Sequence, residues 1–105
     1  MTDGIGPLEF KDRSLLGSSF LRVDLSKASF RESILTDAQF DDANMARATF
    51  TNVNLEGVRV QDVNLSGAEF GNANMRDVKM ENIDMAGMTI DGVLVSEMIA
   101  HGNAK

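Results

Sequence analysis

The stretch from Phe50 to Phe70 reads FTNVNLEGVRVQDVNLSGAEF, with apolar Phe50, Leu55, Val60, Leu65 and Phe70 five residues apart. The same beat extends in both directions, through Phe10, Leu15, Phe20, Leu25, Phe30, Leu35, Phe40 and Met45 on one side. On the other it runs through Met75, Met80, Met85, Ile90 and Val95. Phe30 to Ile90 alone gives thirteen matches in a row; at 43% hydrophobic content, chance would give that run about once in fifty thousand trials. A fixed repeat dictates architecture, so every other feature is read against it.

A period of five fits neither a helix, with apolar residues three or four apart, nor a plain strand, with apolar residues two apart. A second inward position explains it. Two residues before the centres sit small or apolar residues such as Val23, Ala28, Ser33, Ala38, Ala43, Ala48, Val53, Val58, Val63 and Ala68. Positions two apart share one side of an extended segment. The two remaining residues must then turn the chain, and a chain that turns the same way every five residues winds into a coil. Asp24, Asn44, Asn54, Asn64, Asn74 and Asp84 precede centres, where their short side chains can bond the local backbone and favour turns. Gly17, Gly57, Gly67, Gly87 and Gly92 fall two after a centre, where a tight corner favours an unencumbered residue.

The runs Asp42-Ala43-Asn44-Met45, Asn52-Val53-Asn54-Leu55, Asp62-Val63-Asn64-Leu65 and Asn72-Ala73-Asn74-Met75 resemble the A-(D/N)-L-x-x signature of pentapeptide-repeat proteins. The resemblance covers about residues 8 to 95. It implies an all-β fold, a right-handed quadrilateral β-helix with four pentapeptides per coil. With 20 residues per coil, Phe10, Phe30, Phe50, Phe70 and Ile90 form one column. Phe20, Phe40, Val60 and Met80 form the opposite one; Leu15, Leu35, Leu55, Met75 and Val95 form a third, and Leu25, Met45, Leu65 and Met85 the fourth. About four coils at the strand spacing of roughly 4.8 Å make a rod near 20 Å long.

Stacked coils have open edges that need covering. Residues 1–9 are expected to cap the N-terminal end of a β-helix spanning residues 10–95, with residues 96–105 as a C-terminal helical cap and tail. Asp91-Gly92 is a turn signal between two apolar runs. Ser96 to His101 reads as a short helix with Ser96 as N-cap and Gly102 as stop. Leu94, Val95, Met98 and Ile99 supply its apolar face, as a lid on the last coil or a homodimer contact; several family members pair through this segment.

The 105-residue chain carries net charge −6, with 16 acidic against 10 basic residues, and has no cysteine, tryptophan or tyrosine. The charge argues against direct nucleic-acid binding, which needs clustered cations. Disulfides and thiolate metal sites are excluded. No signal peptide or membrane span is legible, so a cytoplasmic protein is expected; a bacterial source is expected with the reading as an interaction module of this family. No catalytic constellation is legible either. The single histidine, His101, stands apart from any nucleophile, and the acids lie on a convex rod with no cleft to shift their pKa. The methionines read as core filler. No enzyme, cofactor or metal is therefore expected.

The outward positions carry three candidate contacts. Asp41, Asp42, Asp62 and Glu81 form an acidic partner surface on the side of Phe20 and Phe40, where Arg22, Arg59 and Lys79 also lie. Leu16, Leu21 and Ile34 form a candidate exposed apolar patch. The side centred on Leu25, Met45, Leu65 and Met85 is nearly uncharged in mid-chain. The expected function is a non-catalytic protein-interaction or scaffold module with an unnamed protein partner. The alternative implied by the resemblance is a DNA mimic that binds DNA gyrase or topoisomerase IV and protects it from quinolones.

Overall fold

The computed structural model describes residues 8–95. Ten short strands follow in order: β1 (Glu9–Lys11), β2 (Ser19–Leu21), β3 (Ser29–Arg31), β4 (Gln39–Asp41), β5 (Thr49–Thr51), β6 (Arg59–Gln61), β7 (Glu69–Gly71), β8 (Lys79–Glu81), β9 (Thr89–Ile90) and β10 (Val93–Leu94). Odd-numbered strands stack in one sheet, β1-β3-β5-β7-β9-β10, and even-numbered strands in another, β2-β4-β6-β8. From β1 to β9 the pairing is parallel and each residue lies over the one 20 positions later, as in Phe10↔Phe30↔Phe50↔Phe70↔Ile90 and Phe20↔Phe40↔Val60↔Met80. The other two sides stack through single-residue bridges, among them Ser14↔Ile34↔Asn54↔Asn74 and Asp24↔Asn44↔Asn64↔Asp84. The result is a square β-solenoid of about four coils, with a side for each column the sequence predicts.

The columns fill the interior. Phe10, Phe30, Phe50 and Phe70 stack with centroids 4.7, 4.7 and 4.5 Å apart. Phe20 stacks on Phe40 at 4.8 Å. Phe30 meets Phe40 edge-to-face at 6.4 Å and 87°, joining the two aromatic columns across the coil. All of these centroid separations lie in the range of favourable aromatic pairs, and the edge-to-face contact is a geometry that ring quadrupoles favour. The void among Phe40, Phe50, Leu55, Val60 and their neighbours is only ≈ 10 Å³, about the least that one water needs, so the rod is packed and not a tunnel. The one buried polar residue among the described residues, Ser33, is satisfied: its hydroxyl donates to the Arg31 carbonyl at 2.8 Å and accepts from the Arg13 amide at 3.2 Å.

Two kinds of corner close each coil. After Leu15, Leu25, Leu35, Met45, Leu55, Leu65, Met75 and Met85, the residue three further on donates its N–H back to the centre's carbonyl, as Ala28 does to Leu25 at 3.0 Å. The third residue of each such turn has positive φ, as at Gly17 (68°) and Lys27 (63°), while the second does not, which defines a type II turn. The corners after β1 to β8 also carry a positive-φ residue, without that bond. At both kinds of corner the N–H of the positive-φ residue reaches the next coil, as Asp42 does to the Gln61 carbonyl at 3.0 Å and Gly17 to the Thr36 carbonyl at 2.9 Å. The sequence marks only the glycine corners; thirteen non-glycine residues adopt positive φ as well. Nine of these are Asp or Asn, the residues that tolerate it best.

This pattern gives a pair of predictions of opposite sign. At Gly17 an added Cβ meets nothing within 4 Å, so Gly17→Ala isolates the backbone penalty and should cost about 1 kcal/mol. Lys27→Gly relieves the same penalty and should be neutral or stabilising by up to about 1 kcal/mol once the extra freedom of the unfolded chain is counted. Urea unfolding of both variants checks the pair; a destabilised Lys27→Gly would contradict the account.

At the C-terminal end, Asp91 (φ 50°) and Gly92 (φ 80°) make the predicted turn, of type I′, and β10 pairs antiparallel with β9 through Val93↔Ile90 and Leu94↔Thr89. The hairpin changes one expectation. Val95 does not continue the Leu15-to-Met75 column; its N–H bonds the Met88 carbonyl at 2.9 Å and its side chain folds half-buried over the end of the core. The helix expected from Ser96, with Met98 and Ile99, lies outside the described residues, as do the first seven residues of the N-terminal cap.

Candidate interaction surface

Because the interior is packed, chemistry and binding fall to the outward positions. With the sides numbered in chain order, from Phe10 (first) through Leu15 (second) and Phe20 (third) to Leu25 (fourth), the column before the centres of the third side reads Ser19, Gln39, Arg59, Lys79, and the column after them Leu21, Asp41, Gln61, Glu81. The following corner carries Arg22, Asp42, Asp62 and Asn82, all at positive φ. That backbone conformation turns the chain from the third side to the fourth, whose outward column is Asp24, Asn44, Asn64 and Asp84. An open groove of ≈ 840 Å³ runs along this corner. Asp41, Asp42, Asp62 and Asp84 line it against a single cation among the described residues, Arg22, with Val63 and Ile83 at its floor and Leu21 at its N-terminal end.

The structure therefore brings Asp41, Asp42 and Asp62 together and separates Glu81, which borders a smaller depression with Arg59 and Lys79. It adds Asp84, which the side-by-side reading of the sequence missed. The signal was the corner itself: residues just before and just after it belong to different sides yet share one groove. The apolar candidates do not form a single patch. Leu16 and Ile34 stand on the second side and are exposed at 63% and 45%; Leu21 stands on the third, paired with Asp41. Leu94 points to solvent from β10, and Val95 packs on the core.

The fourth side is held by its own side chains. Asp24, Asn44, Asn64 and Asp84 each accept the amide N–H two residues on, at 2.9–3.1 Å, and Asn54 and Asn74 do the same on the second side. These are the six residues that the sequence marked as turn formers. The bond from the Ser26 amide, then the Ser26 hydroxyl, holds the Asp24 carboxyl below its usual range. Around the corners, Asn82 donates to Asp62 and Asn72 donates to Asn52 at 2.8 Å, so side chains on successive coils hold each other in register. Among the described residues no group of three or more His, Cys, Asp or Glu is arranged to hold a metal ion, and no helix is long and apolar enough to cross a membrane.

Comparison with known families finds the profile for pentapeptide repeats (9 copies) over residues 10–59 and that for pentapeptide repeats (8 copies) over residues 43–82. The chain belongs to the pentapeptide-repeat family. Among solved structures, this pentapeptide-repeat protein is similar to Rfr23, a pentapeptide repeat protein from the cyanobacterium Cyanothece 51142. The identity is 16% with a TM-score of 0.47, over 81% of this chain and 86% of that one. It is similar also to a pentapeptide repeat protein of the Arabidopsis thaliana thylakoid lumen, at 18% identity and TM-score 0.44, over 84% and 74% of the two chains. QnrB1, a plasmid-mediated fluoroquinolone resistance protein, matches at 15% identity and TM-score 0.29, over 91% and 68%. Comparison with curated proteins gives no match.

Proposed function

We propose that this pentapeptide-repeat protein is a non-catalytic interaction module whose corner groove receives a cationic segment of a partner protein. The observation that carries the reading is the convergence of Asp41, Asp42, Asp62 and Asp84 on one groove with Arg22 as its only cation among the described residues. Carboxylates on a stiff ladder are pre-placed for Lys or Arg and lose little freedom on binding. A catalytic role would need a nucleophile, base and oxyanion donors around one point; the groove is lined instead by the four carboxylates, the amides Asn64 and Asn82, Arg22 and apolar side chains.

A labelled Lys/Arg-rich peptide, titrated by fluorescence anisotropy at low salt, tests this. Binding should weaken as salt rises. Asp42→Asn/Asp62→Asn should weaken it about tenfold or more. Equal affinity of variant and wild type would sink the proposal. The gyrase-modulator alternative would be favoured by an unbroken acidic stripe. Here Arg59 and Lys79 run along the third side beside Asp41 and Glu81, and Arg22 heads the groove. A supercoiling assay with and without a quinolone separates the two readings: no change at micromolar protein is expected.

A further inference from the structure

The outward face of the first side changes character along the rod. The column before its centres reads Glu9, Ser29, Thr49, Glu69, Thr89, and the column after them Lys11, Arg31, Thr51, Gly71, Asp91. In the second of these, cations stand at the N-terminal end, a hydroxyl in the middle and an acid at the C-terminal end. Gly71 interrupts it. It is the one glycine among the described residues without positive φ, and a Cβ there would meet nothing within 4 Å. Neither a turn nor crowding inside the coil calls for glycine at this point. Its effect is a depression of ≈ 480 Å³, with Arg31, Thr51, Glu69, Thr89 and Asp91 on its walls. A strand glycine with no local cause marks a place where another chain comes close.

We propose that the occupant is a second copy of this chain, packed first side to first side with the rods antiparallel about a two-fold axis along β5. That operation lays each row of the face on the row equally far from the axis. Lys11 then faces the partner's Asp91. Arg31 enters the depression over the partner's Gly71, with the partner's Glu69 beside it. Ser29 faces the partner's Glu69, and Glu9 the partner's Thr89. Thr49 and Thr51 meet their own copies, where a hydroxyl can both donate and accept. An isologous contact must be self-complementary, and no row of these two columns sets like charges opposite each other. The corner cation level with the axis, Arg47, leans along the rod over Gly67 and so away from its own copy. A purely basic or purely acidic partner would match one end of the face and clash with the other. The face measures about 19 Å by 10 Å at ordinary strand spacing and rise, well under the roughly 800 Å² per partner of a stable complex. Pairing is therefore weak, concentration-dependent and salt-sensitive, and it leaves the groove between the third and fourth sides open in both copies.

The cysteine-free sequence allows a direct test. At millimolar protein and low salt, Thr51→Cys should cross-link to its own copy with a short bismaleimide, because face-packed sheets lie about 10 Å apart. Gln61→Cys, exposed on the opposite side, should stay monomeric under the same conditions. Equal yields from the two, or none from Thr51→Cys, overturn the proposal. Light scattering against concentration tests the depression itself. Gly71→Val fills it and should weaken association about tenfold without lowering the urea midpoint, since the new Cβ meets nothing in its own coil. Arg31→Glu should weaken association as much, and Arg31→Glu/Glu69→Arg should restore it. Association of Gly71→Val equal to wild type, or a double variant no better than Arg31→Glu, overturns the proposal equally.

Discussion

Phe30→Ala is expected to cost about 4 kcal/mol, the largest loss among single truncations of the core. Phe30 is fully buried and touches three other rings: Phe10 and Phe50 by stacking and Phe40 edge-on. Truncation opens a cavity between three coils and breaks the one aromatic contact that joins the two columns. In a solenoid, stability resides in nearest-neighbour interfaces, and this residue serves two of them. Phe20→Ala removes one stacked pair from a half-buried end coil and should cost roughly half as much. Urea unfolding followed by far-UV circular dichroism orders the two. A Phe20→Ala loss equal to that of Phe30→Ala would mean that the columns are not coupled across the coil.

Ala48→Met should cost about 2–3 kcal/mol by overpacking, and Phe50→Ile should return a good part of it. The reason lies in how inward pairs share volume. Ser18–Phe20, Ala28–Phe30, Ala38–Phe40, Ala48–Phe50 and Ala68–Phe70 all set a small residue two positions before a phenylalanine. Where the centre shrinks, its partner grows, as in Val58–Val60, Val78–Met80 and Met88–Ile90. Leu8–Phe10 departs from the rule at the open first coil, where Leu8 is exposed at 46%. Ala48 is fully buried in the same sheet as Met88, so Ala48→Met/Phe50→Ile transplants an arrangement that the column already contains. Phe50→Ile alone leaves a cavity, and the longer side chain of Ala48→Met would fill it. A double-mutant cycle should therefore give a favourable coupling of more than about 1 kcal/mol. A coupling near zero would contradict volume sharing.

That pairing also explains why the fold was so legible in the sequence. Inward positions answer to packing, and packing leaves a periodic trace: the period of five gives the sides, and the restriction of phenylalanine to two columns gives the coil of twenty. The Asp and Asn residues before centres were legible for the same reason, because a single bond two residues on is local. The positive-φ residues after the strands were not marked, since charged residues such as Asp12, Arg22 and Glu32 hold those corners without a glycine to betray them. The groove was only partly legible. Asp41, Asp42 and Asp62 could be assigned to one side by counting, but Asp84 joins them from the next side around a corner, and Glu81 on their own side does not. Nothing periodic constrains outward residues, so their grouping had to come from the shape of the corner.

The register that builds this groove can be measured directly. Asp62 and Asn82 lie 20 residues apart, both line the groove, and their side chains are hydrogen-bonded across neighbouring coils. In the cysteine-free chain, Asp62→Cys/Asn82→Cys should form an intramolecular disulfide readily, since adjacent parallel strands lie about 4.8 Å apart and a disulfide needs Cα atoms within about 7 Å. Asp62→Cys/Asp77→Cys, 15 residues apart and on different corners, should stay reduced under the same oxidation. Closure of the 20-residue pair alone is the predicted result. Equal closure of both pairs, or closure of the 15-residue pair alone, would contradict the four-sided coil and the groove along its corner.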